Sequence, residues 1–264
     1  MLGKEAGVDL KTFYFALQHL TRINIYKGEF DEAAFGRAAL FFPLVGLLLG
    51  ILLLLAQIVL SCMFPEPVVS GMLVVLMAIM TGGIHIDGFM DTLDGVFSGR
   101  PREIKLEIMR DSRVGAFGVL GLVCLFLLKY NAFLSMTAPM IYQAILLAAL
   151  LSRWSMVYAI ACFPYARREG LGTLYNRYTG KRELIWATGS TIIIATLVAW
   201  AAGLILLLAA WGWVHFIGSK LTSELGGLTG DVYGATAETT ELLIYLTVFP
   251  LFGYWSWLFS APWL

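Results

Sequence analysis

Residues 38–62 read AALFFPLVGLLLGILLLLAQIVLSC and decide the class of fold. The stretch contains no charged side chain. A helix rises about 1.5 Å per residue, and the bilayer core of about 30 Å therefore needs roughly 20 consecutive apolar residues. This stretch is predicted to be a transmembrane helix.

The composition of the whole chain agrees with a membrane protein. Of 264 residues, 59% are hydrophobic and 14% are charged, whereas an average soluble domain is about 25% charged. These values exclude a disordered chain and a disulfide scaffold. The formal net charge is zero, so no nucleic-acid partner is expected. Cys62, Cys124 and Cys162 lie in apolar runs and are predicted to be small hydrophobes.

Five further apolar runs follow along the chain. They are residues 68–86, 114–136, 139–163, 184–216 and 242–259. The run 184–216 would reach about 50 Å as one helix, well beyond one crossing. We predict a hairpin that turns near Ala201-Ala202-Gly203, with a single tilted helix as the alternative. The predicted fold is therefore an all-α polytopic integral membrane protein, one domain over residues 1–264, with about seven transmembrane helices.

The basic residues indicate which side of the membrane each segment faces. Segments 1–37, 87–113 and 164–184 each hold five Lys or Arg residues, and 218–241 holds Lys220. If 184–216 is a hairpin, all four segments share one side, which the positive-inside rule makes cytoplasmic. We therefore expect a multi-pass protein of the inner (cytoplasmic) membrane.

Three further features of the sequence allow a structural prediction: the segment 8–35, Lys129 and Arg153. Residues 8–35 interleave apolar and polar side chains, which predicts an interfacial amphipathic helix. Lys129 is expected to extend toward the outer interface. Arg153 lies inside a predicted span, where a charge is costly unless it is paired, so it is expected to contact an acidic residue or a substrate phosphate.

The first cluster of candidate site residues is acidic. Asp87, Asp91 and Asp94 are spaced i, i+4, i+7 and would share one helix face. Their mutual repulsion would be relieved by Mg²⁺, which prefers carboxylate oxygens and keeps positions for phosphate oxygens. The alternative is a solvated acidic helix end. His85 lies beside the cluster and is expected either to touch substrate or to be a satisfied buried histidine.

Two further clusters combine acidic residues with phosphate-binding features. Glu107, Arg110, Asp111 and Arg113 join carboxylates to guanidinium groups, as phosphoryl-transfer sites do; the alternative is a surface helix with internal ion pairs. The segment 226–231, GGLTGD, could bind phosphate through backbone N–H groups; the alternative is a plain connecting loop.

These segments carry a resemblance to a known family. The sequence resembles the cobalamin 5′-phosphate synthase (adenosylcobinamide-GDP ribazoletransferase) family at six places, in order along most of the chain. They are LTR at 20–22, FPLVG at 42–46, GGIHIDG at 82–88 with DTLDG at 91–95, LEIMRDSRVGAFG at 106–118, GGLTGD at 226–231, and GA at 234–235.

The resemblance implies a Mg²⁺-dependent membrane enzyme. It would join adenosylcobinamide-GDP to α-ribazole 5′-phosphate, or to α-ribazole, and release GMP. The expected metal ligands are Asp87, Asp91 and Asp94. The expected catalytic residues are Asp111, Asp231 and Glu107, one of which would take the proton of the attacking hydroxyl. The expected substrate-binding residues are His85, Arg110, Arg113, Arg153, Gly226, Gly227, Thr229 and Gly230. Asp91 and Asp231 are expected to face one cavity.

Other readings remain open. The core Asp91-x-x-Asp94-Gly95 is also similar to CDP-alcohol phosphotransferases, but Phe97-Ser98 stands where their pattern has Ala-Arg. A lipid head-group transferase is therefore the second hypothesis. A cation or proton transporter, with Asp87, Asp91 and Arg153 as a relay, is the third. Gly46-x-x-x-Gly50 permits close helix contact within the chain or between copies in a homo-oligomer.

Overall fold

A computed structural model describes residues 10–259, and these residues form an all-α membrane protein. The interfacial helix predicted over residues 8–35 begins outside the described residues. Within them it is not one helix: Leu10–Leu20 is helical, and a second helix begins at Glu32 after a break. The helices, α1 to α11 in chain order, are Leu10–Leu20, Glu32–Arg37, Phe42–Ser61, Glu66–Thr81, Ile84–Phe97, Arg102–Ile108, Ala116–Ser135, Met140–Cys162, Leu171–Tyr178, Lys181–Leu225 and Gly230–Trp255.

Several of these helices are suited to crossing a membrane. By length and composition, four helical stretches in the part of the chain that the structure describes are long and apolar enough, and a fifth qualifies if α4 and α5 count as one bent span. The number of about seven transmembrane helices stays a prediction. Helix α11 carries the predicted last span and also extends well before it.

Helix α10 is a hairpin, as the sequence predicts. Its backbone leaves the helical conformation at Ala199 and Trp200, where Trp200 has a φ of +43°. The turn therefore lies just before the predicted position. Beyond it, Gly203 packs so closely on the carbonyl of Ala195 that a side chain would clash. Eight residues of continuous helix would separate these two by about 12 Å, so the chain has reversed direction.

Contacts with α8 show that the two arms of α10 run antiparallel. Thr188, in the first arm, accepts a 3.0 Å hydrogen bond from the indole nitrogen of Trp154. His215, in the second arm, lies 3.1 Å from the hydroxyl of Tyr158, one turn further along α8. Both arms therefore reach the same level of α8, which excludes the single tilted helix.

A sharp bend separates the second predicted span from the acidic helix. Gly82 and Gly83 have φ values of +68° and +76°, a left-handed conformation that favours glycine. Helices α4 and α5 consequently meet at 93°. The span predicted to reach residue 86 ends at Thr81. Helix α5 leaves the direction of α4, and the position of residues 87–113 outside the membrane stays a prediction.

Helix α8 is the centre of the bundle and is buried along most of its length. Gly46 of α3 meets the backbone of Ala149 in α8, and Gly50 lies against the same residue. The motif Gly46-x-x-x-Gly50 therefore forms a contact within the chain. It gives no support to the homo-oligomer, which stays a prediction.

The segments predicted to share the cytoplasmic side are joined to one another. The ammonium group of Lys105 lies 2.7 Å from the carboxylate of Glu224. Arg167 lies 2.6 Å from Asp231. These ion pairs connect all three segments that follow the first span, so the structure brings them to one end of the bundle.

A buried cluster, which we call the charge cluster, corrects the prediction for Lys129 and confirms one of the two alternatives for Arg153. Lys129 does not extend to the outer interface: it is buried, 2.6 Å from Glu238 and 2.9 Å from Glu241. Arg153 is 1% exposed and lies 2.9 Å from Glu241. Because an unpaired charge in a membrane interior is costly, these four side chains neutralise one another. Arg153 meets an acidic residue, and no surface is open through which it could meet a substrate phosphate.

Candidate active site

The acidic helix α5 packs directly on the first turn of α11. A side chain on Gly88 would place its Cβ 2.7 Å from the carbonyl oxygen of Asp231, and one on Gly234 would place it 3.0 Å from the carbonyl of His85. Only glycine allows backbones to approach this closely. The two glycines therefore bring two distant acidic segments together.

Two spaces open at this contact. The inner cavity has a volume of about 170 Å³ and lies among α1, α3, α5, α8, α9 and α11. The outer cleft is more open, has a volume of about 700 Å³, and lies beside Arg22, Gly82 and Gly83. Asp87 lines both spaces. Asp231 lines the inner cavity, whereas Asp91 does not. The expectation that Asp91 and Asp231 face one cavity is not met by the inner cavity, where Asp231 is joined by Asp87, one turn before Asp91.

The carboxylates around this junction interact strongly. Burial, followed by the charges of Asp87, Asp231 and Asp94, raises the pKa of Asp91 to about 7. Carboxylates that repel one another in this way are a suitable place for a cation. Asp87, Asp91 and Asp94 occupy one helix, as predicted.

Asp94 has a role that the sequence does not reveal. Its side chain is buried, and its two oxygens accept 2.8 Å hydrogen bonds from the backbone N–H groups of Gly115 and Gly118. Both donors belong to the start of α7, where N–H groups lack helical partners. Asp94 therefore stabilises the start of α7, and its assignment as a metal ligand stays a prediction.

The carboxylates are suited to Mg²⁺ with a small number of protein ligands. Within residues 10–259, no three His, Cys, Asp or Glu side chains are arranged to enclose a metal ion. Mg²⁺ is usually held by one or two carboxylates together with water and substrate phosphates. Asp87 is exposed and Asp91 is half-buried, so both can offer oxygens to an ion.

Asp231 is held by a residue that sequence reasoning missed. Arg167 donates a 2.6 Å hydrogen bond to its carboxylate, and Thr229 lies 3.2 Å from the same oxygen. Burial nevertheless raises the pKa of Asp231, against the opposing effect of Arg167. Arg167 was one of five basic residues in its segment, and nothing in the local sequence distinguishes it.

The glycine-rich segment is mainly a structural loop. The backbone N–H of Leu228 donates to Pro164, and that of Gly226 donates to Thr222. Gly226, Gly227 and Thr229 line neither space, whereas Gly230 lines the inner cavity. Of the four substrate-binding residues expected here, the structure places only Gly230 at the site.

The second cluster lies on the surface. Arg113 donates to both carboxylate oxygens of Asp111, and this pairing lowers the pKa of Asp111 to about 2. Glu107 and Arg110 are exposed. None of these four side chains lines the inner cavity or the outer cleft. The geometry brings Asp231 and His85 to the cavity and leaves the catalytic roles of Asp111 and Glu107 as predictions.

Comparison with known proteins identifies the family of the chain. The family model described as cobalamin-5-phosphate synthase matches residues 12–249. The adenosylcobinamide-GDP ribazoletransferase of Desulfitobacterium hafniense (strain Y51) is 37% identical, over 92% of this chain and 98% of the relative. Proteins of the same name from Roseiflexus sp. (strain RS-1) and Geotalea daltonii are 40% and 34% identical, over 83% and 92% of this chain and 81% and 99% of those relatives. No solved structure shows a significant match. The chain belongs to the cobalamin-5-phosphate synthase family.

Proposed function

We propose that this chain is an adenosylcobinamide-GDP ribazoletransferase. It joins adenosylcobinamide-GDP to α-ribazole, or to its 5′-phosphate, and releases GMP. The observation that carries the proposal is the meeting of the inner cavity and the outer cleft at Asp87. A transferase needs a place for each of two substrates and a shared point for the reacting atoms. The family and the names of the relatives support the same reaction.

The reaction is a substitution at phosphorus. The acceptor hydroxyl oxygen forms a bond to the phosphorus that carries cobinamide, and the bond from that phosphorus to the oxygen of the departing GMP breaks. The proton of the hydroxyl passes to a carboxylate. Asp231 suits this role because it lines the inner cavity and burial raises its pKa. Arg167, on the same carboxylate, orients it.

Asp87 and Asp91 are the residues that would hold Mg²⁺. The ion would neutralise charge on the pyrophosphate and the leaving nucleotide. Arg22 extends along the rim of the outer cleft and donates a 3.2 Å hydrogen bond to the carbonyl of Gly82. Its charge would attract the anionic donor to this cleft. The site faces the cytoplasm in this proposal, because the distribution of Lys and Arg puts the joined segments inside.

The test is a transfer assay with the purified protein in detergent. Adenosylcobinamide-GDP with α-ribazole and Mg²⁺ should give GMP, whereas a CDP-lipid with an alcohol acceptor should give no CMP. Asp231→Asn should lower kcat at least 100-fold, because general-base catalysis contributes roughly 10²–10⁴.

The matched control is Glu224→Gln, which alters an ion pair at the same end of the bundle but lines neither space. Its kcat should stay near that of the wild type. CMP release without GMP release would support the lipid head-group transferase. Neither product in detergent, together with cation transport by the protein reconstituted into sealed vesicles, would support the transporter.

A further inference from the structure

The inner cavity contains polar atoms that no protein group satisfies. Both ring nitrogens of His85 and the hydroxyls of Tyr175 and Tyr233 are buried, and they have no hydrogen-bond partner among the residues that the structure describes. The three side chains are only 2–3% exposed, and all three line the inner cavity. A buried polar group without a partner destabilises the folded state. Four such atoms on three residues that line one cavity favour a bound molecule as their partner.

The walls of the cavity are aromatic and apolar. The rings of His19 and Phe42 are stacked, with centroids 6.2 Å apart. Tyr175 lies 5.3 Å from each of these rings. Met156 and Ile160 of α8 form the apolar part of the wall. Such walls favour a flat aromatic ring over a phosphate or a flexible chain.

The size of the cavity limits what can enter. An engineered cavity of about 150 Å³ binds benzene, and pockets for drug-sized ligands measure about 300–1,000 Å³. A volume of about 170 Å³ therefore suits an aromatic ring system and excludes a corrin macrocycle. Because Asp87 and Asp231 line the same cavity, whatever is attached to the ring can reach the carboxylates.

We propose that the inner cavity binds the fused-ring aromatic base of the acceptor nucleoside, with His85, Tyr175 and Tyr233 as its hydrogen-bond partners. This inference rests on the proposed function, and it assigns the outer cleft to the corrinoid donor. The ribose of the bound nucleoside lies toward Asp87 and Asp231, which line the same cavity. The three side chains become determinants of which nucleoside is accepted.

The first test separates a binding role from a structural role. Tyr233→Phe removes one unpartnered hydroxyl and keeps the ring. The affinity for α-ribazole, measured by calorimetry on the full-length protein in detergent without donor, should fall about tenfold. The unfolding temperature should not fall, because the hydroxyl has no partner within residues 10–259 to lose. Tyr142→Phe, which lines neither space, is the matched control and should leave the affinity unchanged.

The second test fills the cavity from its rim. Leu171 lines the cavity and is 53% exposed, so a larger side chain there need not disturb the core. Leu171→Trp should weaken α-ribazole binding more than tenfold while leaving adenosylcobinamide-GDP binding within twofold of the wild type. Leu10→Trp is the control, because Leu10 is 64% exposed and lines neither space.

The outcomes distinguish this inference from the proposed function. If the wild type releases GMP with α-ribazole but Tyr233→Phe and Leu171→Trp both bind α-ribazole as the wild type does, the inference is wrong and the function stands. If the wild type releases no GMP from adenosylcobinamide-GDP, the proposed function fails first. Weaker donor binding with unchanged acceptor binding in Leu171→Trp would place the donor in the cavity and overturn the assignment.

Discussion

Replacing Glu241 by glutamine should destabilise the protein by about 3–5 kcal/mol, the usual cost of breaking a buried ion pair from one side. Glu241 is 2% exposed and accepts hydrogen bonds from Lys129 and Arg153, both at 2.9 Å. The charge cluster holds two positive and two negative side chains. In the Glu241→Gln variant, two buried cations would share the single carboxylate of Glu238.

A double variant shows whether charge balance is the cause. Glu241→Gln combined with Arg153→Met leaves Lys129 and Glu238, which are 2.6 Å apart and mutually neutral. The double variant should therefore lose less stability than Glu241→Gln alone, with a coupling free energy of about 2 kcal/mol or more. If the two substitutions acted independently, their losses of stability would instead add.

The assay is equilibrium unfolding in mixed micelles with increasing SDS, monitored by tryptophan fluorescence. Glu224→Gln serves as the control, since its ion pair is partly exposed and worth about 1 kcal/mol or less. The reasoning is refuted if Glu241→Gln unfolds within about 1 kcal/mol of the wild type, or if the double variant is the less stable of the two. Loss of activity with unchanged stability would instead indicate a functional charge, as a relay requires.

Four further predictions concern the start of α7, the metal, the pH dependence of stability and the topology in the membrane. Asp94→Ala should lower the free energy of unfolding by about 1–3 kcal/mol, because two N–H groups of α7 lose their acceptor; unchanged stability would contradict this role. EDTA should stop GMP release and Mg²⁺ should restore it, and Mg²⁺ affinity should increase with pH up to about 7 as Asp91 loses its proton. Because this pKa of about 7 lies above the ordinary 3.8, the metal-free protein should lose stability between about pH 4 and pH 7, and Asp91→Asn should flatten that slope. An impermeant maleimide should label Ser223→Cys in inside-out vesicles and Cys62 in right-side-out vesicles; the reverse pattern would invert the topology.

The sequence by itself determined that the protein lies in a membrane and that its fold is all-α. Apolar runs and scarce charge leave little alternative to membrane helices, because these properties are local and additive along the chain. The hairpin in α10 followed from the length of its apolar run and from the distribution of Lys and Arg along the chain. The shared face of Asp87, Asp91 and Asp94 followed from helical periodicity, which is equally local.

Only the tertiary structure decided which side chains are partners. Arg153 and Glu241 are 88 positions apart, and Arg167 and Asp231 are 64 apart, so no spacing rule connects either pair. The local sequence around Lys129 does not distinguish a side chain that extends to the interface from one that pairs with Glu238. The inner cavity likewise needs six helices in place at once. A charge in an apolar run therefore signals that a partner is needed, but the partner is chosen by packing between distant segments, which a local pattern does not contain.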